Sequence, residues 1–405
     1  MSLKKSLISL TTLKAIDFLF PLLLIPLAIN KIGIENYGIV AFFQTWTIFF
    51  ITVIDFGFVI SGIQKIAIIQ KKIIEDTYLI SSVFIKLLIS IISIITFIVI
   101  IKVSPFSNYN ELMLMFSFAI FSGIGNFQWY YQSKSKYKFI LISSLLSRML
   151  ALALFLVTVK GDDDIQQFGF IISIMYIIPN VIYMIERKMN IRYIKFNTSY
   201  IKLIFKSNLN IFIYRMVNAS VFPIYIYFFS FIFTGGEFGA LSLVQRFLGA
   251  AINFSTPITQ ALIPHLSKVK NSPKNDYKKE FNKLNVRLLA FSVILMVFVP
   301  ITIFTGVIFN VFSGGLVIKD LLIPSILIFS LVPHVMNSFY SQSLVLLESS
   351  DIVRNIILLS IIISVPFFII SVAFANKMLI INYVATYFAI MFLLLLKNRN
   401  KLNDK

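Results

Sequence analysis

Five basic residues stand inside long apolar runs of this sequence: Lys14, Lys86, Arg148, Arg215 and Arg246. Two carboxylates, Asp17 and Asp55, share that setting, and Asp17 follows Lys14 by about one helical turn in "LKAIDFLFPLLLIP". A charge at the centre of a bilayer costs roughly 2.5 to 3.5 kcal/mol on insertion scales, so such a residue faces a bundle interior, a partner or water. Five cations against two anions leave a net +3, and an enclosed cavity of that sign concentrates anions. Arginine suits phosphate because its planar fork donates two parallel hydrogen bonds. The residues expected to meet an anionic substrate are therefore Lys14, Arg148, Arg215, Arg246 and Lys86. Lys86 lies near enough to the inner surface that its stem could instead carry the ammonium out to water.

The carboxylates suit a different chemistry. Burial and the neighbouring Lys14 push the protonation of Asp17 in opposite senses, leaving a group whose H+ or Na+ occupancy could follow a change of surroundings. Asp55 is the second candidate for ion coupling, with a helix cap or a partner for cytosolic lysines as the alternative. For Lys14 and Asp17 the alternative is mutual neutralisation at i and i+3.

The elements that must hold these groups are membrane helices. Of 405 residues, 58% are hydrophobic and 13% charged, with 43 Phe and no Cys, so the solvent is lipid and no disulfide or thiolate site can contribute. Two histidines, His265 and His334, are too few and too separated for a zinc centre. Spans need ~20 apolar residues, and twelve runs qualify: about 9–29, 38–60, 80–101, 112–132, 139–159, 166–185, 207–233, 238–264, 285–309, 321–345, 355–375 and 378–396. The first run, carrying Lys14 and Asp17 and no small-residue cleavage site, reads as a retained span rather than a signal peptide. With both termini inside, twenty-six Lys and Arg fall in inner segments and five (Lys31, Lys102, Lys160, Lys319 and Lys377) in outer loops, which fixes the orientation. The formal charge of +19 is thus a feature of topology, and nucleic acid is not an expected partner.

Sliding the chain by 201 positions aligns Lys5 with Lys206, Lys14 with Arg215, Asp17 with Asn218, Gly38 with Gly239 and Gln44 with Gln245. The pattern predicts two six-helix halves, residues 1–200 and 201–405, entering the membrane in the same direction. At the aligned position the basic residue persists where the acid does not. Pro21, Pro26, Pro223, Pro257 and Pro264 permit bends within spans. The aromatic cluster Phe127, Trp129, Tyr130 and Tyr131, beside Lys134, Lys136 and Lys138, reads as an interfacial belt. No G-x-x-x-x-G-K-[ST] loop occurs, so direct ATP use is not expected. An ion gradient is the natural alternative.

The stretches "PLLLIPLAINKIGIENYGIVAF" with "DFGF", "FQWYYQSKSKYK" leading to "SSLLSRMLALALFLV", and "STPITQALIPHLSK" resemble the Wzx-type O-antigen flippases. These form the polysaccharide transporter family, in the MOP superfamily that also holds the MATE-type multidrug and toxin extruders. The resemblance covers nearly the whole chain. It implies an all-α integral membrane protein with about twelve helices in two six-helix lobes around a central lumen, without a cofactor. It implies translocation of undecaprenyl-pyrophosphate-linked oligosaccharide across the bacterial cytoplasmic membrane by alternating access, beside glycan polymerase and chain-length machinery. It also implies that Arg148 and Arg246 fall where such proteins hold basic residues, and that Asp55 sits in the aspartate-aromatic-glycine motif ending span two. Ser133 and Lys134 depart from the pattern after "WYYQ", where a glycine and a less basic turn are expected. A drug extruder of the same fold should carry an acidic interior, against the five-to-two count. A multi-spanning glycan polymerase should carry a sizeable outer loop, whereas the longest here lies near "KGDDDIQQ".

Overall fold

The computed structural model describes the backbone of residues 3–187, 198–270, 277–309, 311–312, 314–347 and 350–403. Within those helices, the side chains of 3–19, 21, 22, 214, 256, 257, 260, 261, 263–265, 267, 268, 270, 350 and 403 are outside the described set. Lys14, Asp17, Pro21, Pro257, Pro264 and His265 therefore lie outside the described residues.

The chain is helical throughout the described elements. They are α1 (Leu3–Ile54), α2 (Phe58–Ile68), α3 (Lys72–Val103), α4 (Asn110–Ser122), α5 (Gln128–Ser133), α6 (Tyr137–Thr158), α7 (Ile165–Glu186), α8 (Thr198–Ile232), α9 (Gly235–Lys270), α10 (Tyr277–Ile308), α11 (Ile318–Leu322), α12 (Leu331–Leu346), α13 (Ser350–Ala373) and α14 (Leu379–Asn403). Among the described residues ten helical stretches are long and apolar enough to cross a membrane, and the chain is a multi-pass membrane protein. The first two expected spans are two helices that meet at a kink at Gly33, whose φ of 75° and ψ of 161° are not helical; α1 covers both. The run at 238–264 falls in α9. Pro26 and Pro223 sit inside continuing helices.

The helices gather into two compact units. The first comprises residues 1–32 and 39–227, the second residues 33–38 and 228–405. In the first, α7 packs on α4 and α6, α3 on α4, and α2 on the short α5. That last contact is close because Gly62 has no side chain: a Cβ there would lie 2.5 Å from the Trp129 ring. Trp129 in turn stacks on Phe58 at 5.6 Å. Phe127, Trp129 and Tyr131 are fully buried and Tyr130 nearly so, which corrects the expectation of an interfacial belt. The reason is the Gly62 gap, which lets the six-residue α5 fold its aromatics into the bundle instead of presenting them to headgroups. The turn after "WYYQ" is built without the expected glycine. Ser135 adopts φ 56°, Ser133 Oγ donates to Tyr130 O at 2.6 Å, and Lys134 is tied down by Glu75 at 2.5 Å.

In the second unit α12 is central, packed against α9, α10, α13 and α14. Several of its polar groups are satisfied by neighbouring helices, as lipid demands. Tyr340 donates to Asn285 Oδ1 at 2.8 Å, Ser343 donates to Asn398 Oδ1 at 2.5 Å, and Asn398 Nδ2 donates to Tyr340 O at 2.9 Å. The segment 33–38 is held by backbone contact: Ile34 N donates to Gly314 O at 2.9 Å. A Cβ on Gly38 would lie 2.8 Å from Gly239 Cα, and one on Gly239 would lie 2.1 Å from Ile34 O.

Candidate functional site

The "DFGF" stretch, residues 55–58, makes the turn between α1 and α2. Phe56 at φ 47° and Gly57 at φ 79° both take left-handed backbone, a conformation that suits glycine and strains phenylalanine. Phe56 is held there by ring contacts with Phe205 at 4.7 Å and Phe212 at 4.5 Å. The reversed backbone lets the Asp55 carboxylate fold over the new helix, where Oδ2 accepts from Val59 N at 3.1 Å. The bond satisfies one of the free backbone donors in the first turn of α2, from two residues before the N-cap position at Gly57.

The same carboxylate gathers two of the intramembrane cations. Arg215, on α8, donates from Nη1 to Asp55 Oδ2 at 2.5 Å across 160 residues of sequence. Lys86 Nζ, on α3, stands 3.9 Å from Oδ1. The lysine side chain is 0% exposed, the aspartate 4% and the arginine 23%. Lys86 also donates to Asn126 O at 2.8 Å, and its ammonium lies 5.6 to 5.7 Å from the ring centroids of Phe58, Phe127 and Trp129. A desolvated cation among aromatic faces is held by their quadrupoles as well as by its carboxylate. Lys86 therefore does not carry its ammonium out to water.

The structure thus brings Asp55, Lys86 and Arg215 together. Asp55 Oδ1 is buried and makes no hydrogen bond among the described residues, because its lysine lies beyond bonding distance. Arg148 is half-buried on α6 and bonds along its own helix, donating to the Ser144 hydroxyl and to Ser144 O at 3.1 Å. Arg246 is half-buried on α9 in the second unit, beside the buried hydroxyl of Tyr37.

A second ionic cluster escaped sequence reasoning. Glu75 Oε1 accepts from Tyr130 at 2.8 Å and Arg187 at 3.0 Å; Arg187 also bonds Asp76. Tyr131 donates to Glu186 Oε2 at 2.5 Å, and Lys136 pairs with Glu186 Oε1 at 3.4 Å. These contacts join the start of α3, the α5 turn and the end of α7. The available signal was the adjacent pair Glu75 and Asp76 at one span end, with basic residues at the same membrane level after α5 and α7.

The family of polysaccharide biosynthesis proteins matches residues 3–270 of the chain. A protein of Escherichia coli (strain K12) named "Putative O-antigen transporter" is 26% identical over 311 residues, 73% of each chain. Among solved structures, the lipid II flippase MurJ in an inward closed conformation aligns at TM-score 0.72 and 16% identity, over 96% of this chain and 86% of that one. A MOP superfamily transporter from Pyrococcus furiosus aligns at 0.64 and 14%, over 99% and 96%. A multidrug resistance MATE family transporter aligns at 0.56 and 12%, over the same shares. These relatives are transporters by name, and the structural likenesses show a MOP-type helical fold. The chain belongs to the polysaccharide biosynthesis protein family.

Proposed function

We propose that this protein translocates undecaprenyl-pyrophosphate-linked oligosaccharide repeat units across the bacterial cytoplasmic membrane by alternating access, driven by an H+ or Na+ gradient. The observation that carries the reading is the unequal exposure around Asp55. Lys86 is sealed among rings, whereas Arg215 is 23% exposed. In this reading Arg215 rests on Asp55 and exchanges that carboxylate for the pyrophosphate, whose oxygens match its fork better than a single carboxylate oxygen does. Lys86, too buried to touch the substrate, keeps Asp55 compensated while Arg215 is away. Removing one partner of a buried pair is otherwise costly. Lys14, Arg148 and Arg246 add to the positive field, Asp17 carries the coupling ion, and residues 1–200 and 201–405 are the halves that alternate. Glycan polymerase and chain-length machinery would take up the product on the far side.

The test is a flipping assay in proteoliposomes with lipid-linked oligosaccharide, with and without imposed proton and sodium gradients. Arg215→Gln is expected to slow transport about ten- to a hundredfold, the range of a lost charged hydrogen bond. Arg215→Lys should keep part of the rate, since charge persists without the fork. Full activity of both variants at normal insertion levels sinks the reading.

A further inference from the structure

One face of α12 does not read as a membrane helix. His334, Asn337, Ser338 and Gln342 recur at helical spacing and are half-buried. The flank beside it, with Val335, Met336 and Phe339, is fully buried. Polar side chains turned to lipid without partners cost several kcal/mol each, so a stripe of this kind suits water or a ligand better than acyl chains. Its own bonds are few. Gln342 Nε2 donates to Ser338 Oγ at 2.9 Å, and Ser338 Oγ lies 3.5 Å from the Thr259 hydroxyl of α9. Asn337 Nδ2 makes only a long bond, 3.4 Å, to Tyr387 O on α14. Asn337 Oδ1 is buried with no partner among the described residues. His334 stacks on the Tyr387 ring at 3.6 Å, and its Nδ1 lies 2.8 Å from Ser330 O. A carbonyl can only accept, so Nδ1 holds the proton of the neutral ring and Nε2 keeps its lone pair.

The chemistry of the stripe selects its ligand. α12 contains no Asp, Glu, Lys or Arg, which gives a metal cation no carboxylate and an anion no countercharge. What remains is amide, hydroxyl and imidazole groups beside an aromatic ring, with Asn337 Oδ1 as an acceptor that has no donor among the described residues and His334 Nε2 as a second lone pair. A neutral, hydroxyl-rich ring supplies those donors. Resting on the transport reading above, we infer that this stripe is a glycan-binding surface that holds a neutral sugar of the lipid-linked oligosaccharide and sets which glycan is carried. The pyrophosphate is left to the cations.

The experiment uses the full chain in proteoliposomes and two probes: the lipid-linked repeat unit isolated from the native cell, and the same carrier trimmed to its first sugar. Asn337→Leu and Gln342→Met keep side-chain volume and remove hydrogen bonding, and Ser338→Ala serves as a milder change should either fold poorly. Each of the first two is expected to lower the rate ratio of full repeat to trimmed carrier about three- to tenfold, the span of one neutral hydrogen bond. Arg215→Gln should slow both probes alike. If the wild type moves both probes and the variants leave the ratio unchanged, the glycan surface is refuted while transport stands. A wild type that moves neither probe refutes both readings.

Discussion

The triplet of Asp55, Lys86 and Arg215 makes a double-mutant cycle decisive. Asp55→Asn keeps an oxygen for Val59 N, so the bond in the first turn of α2 survives, but it removes the charge facing Lys86. That lysine is 0% exposed and would be left as a buried cation with one carbonyl and three ring faces. Removing one member of a buried pair costs about 3 to 5 kcal/mol. Lys86→Met is milder, because Asp55 retains Arg215 at 2.5 Å; a loss of about 1 to 2 kcal/mol follows from removing the countercharge 3.9 Å from Oδ1. The double variant leaves no sealed charge, and its Arg215 can hydrate through its exposed part. It should therefore be more stable than Asp55→Asn alone, which requires a coupling larger than the Lys86→Met loss; the coupling expected is about 3 kcal/mol, at the top of the range measured for contacting residues. The assay is equilibrium unfolding in mixed micelles with rising SDS fraction, followed by tryptophan fluorescence. If the two single losses add to the double within about 0.5 kcal/mol, Lys86 and Asp55 do not share a charge and the resting-state argument for Arg215 fails with them.

Three further outcomes are expected. A reporter fused after Lys160 should behave as external and one after Lys270 as cytoplasmic; the reverse pair overturns the orientation drawn from basic residues. Gly239→Ala places a Cβ 2.1 Å from the Ile34 carbonyl oxygen and should lower stability by about 1 to 3 kcal/mol, whereas Gly249→Ala, with nothing within 4 Å of the added atom, should gain up to about 1 kcal/mol from helix propensity; micellar unfolding compares the two. Asp17→Asn should leave binding of lipid-linked oligosaccharide intact while flattening the response of transport to an imposed gradient, and an unchanged gradient response makes Asp17 structural.

What was legible in the sequence was whatever one helix reports about itself. Run length locates spans because the bilayer has a fixed thickness, and the intramembrane cations stand out because so few other charges interrupt the runs. Rotation about a helix axis is not reported in the same way. Lys86 was read as close to the surface from its distance along α3, yet its side chain points into the aromatic wall of α5. The belt reading of Phe127 to Tyr131 failed for the same reason, since a headgroup layer and a packed core draw on the same residue types. Pairing at a distance was also hidden: the 201-residue repeat matches Arg215 to Lys14, whereas the described partner of Arg215 is Asp55. The α12 stripe was readable in principle. Its spacing is visible in "HVMNSFYSQ", but without a charge it did not register.

The bond from Ile34 N to Gly314 O sets a waiting time during synthesis. Its two halves are 280 residues apart, and at about 5 to 20 residues per second the ribosome needs ~15 to 55 s to supply the second after the first. Gly239, against which Ile34 packs, also comes late. Through that interval residues 33–38 are already made while the unit they belong to is not, and Ile34 must keep water or a temporary partner on its amide. The second unit therefore begins with a piece of chain delivered before almost all of the first, and its assembly is complete only when the nascent protein reaches back to collect it.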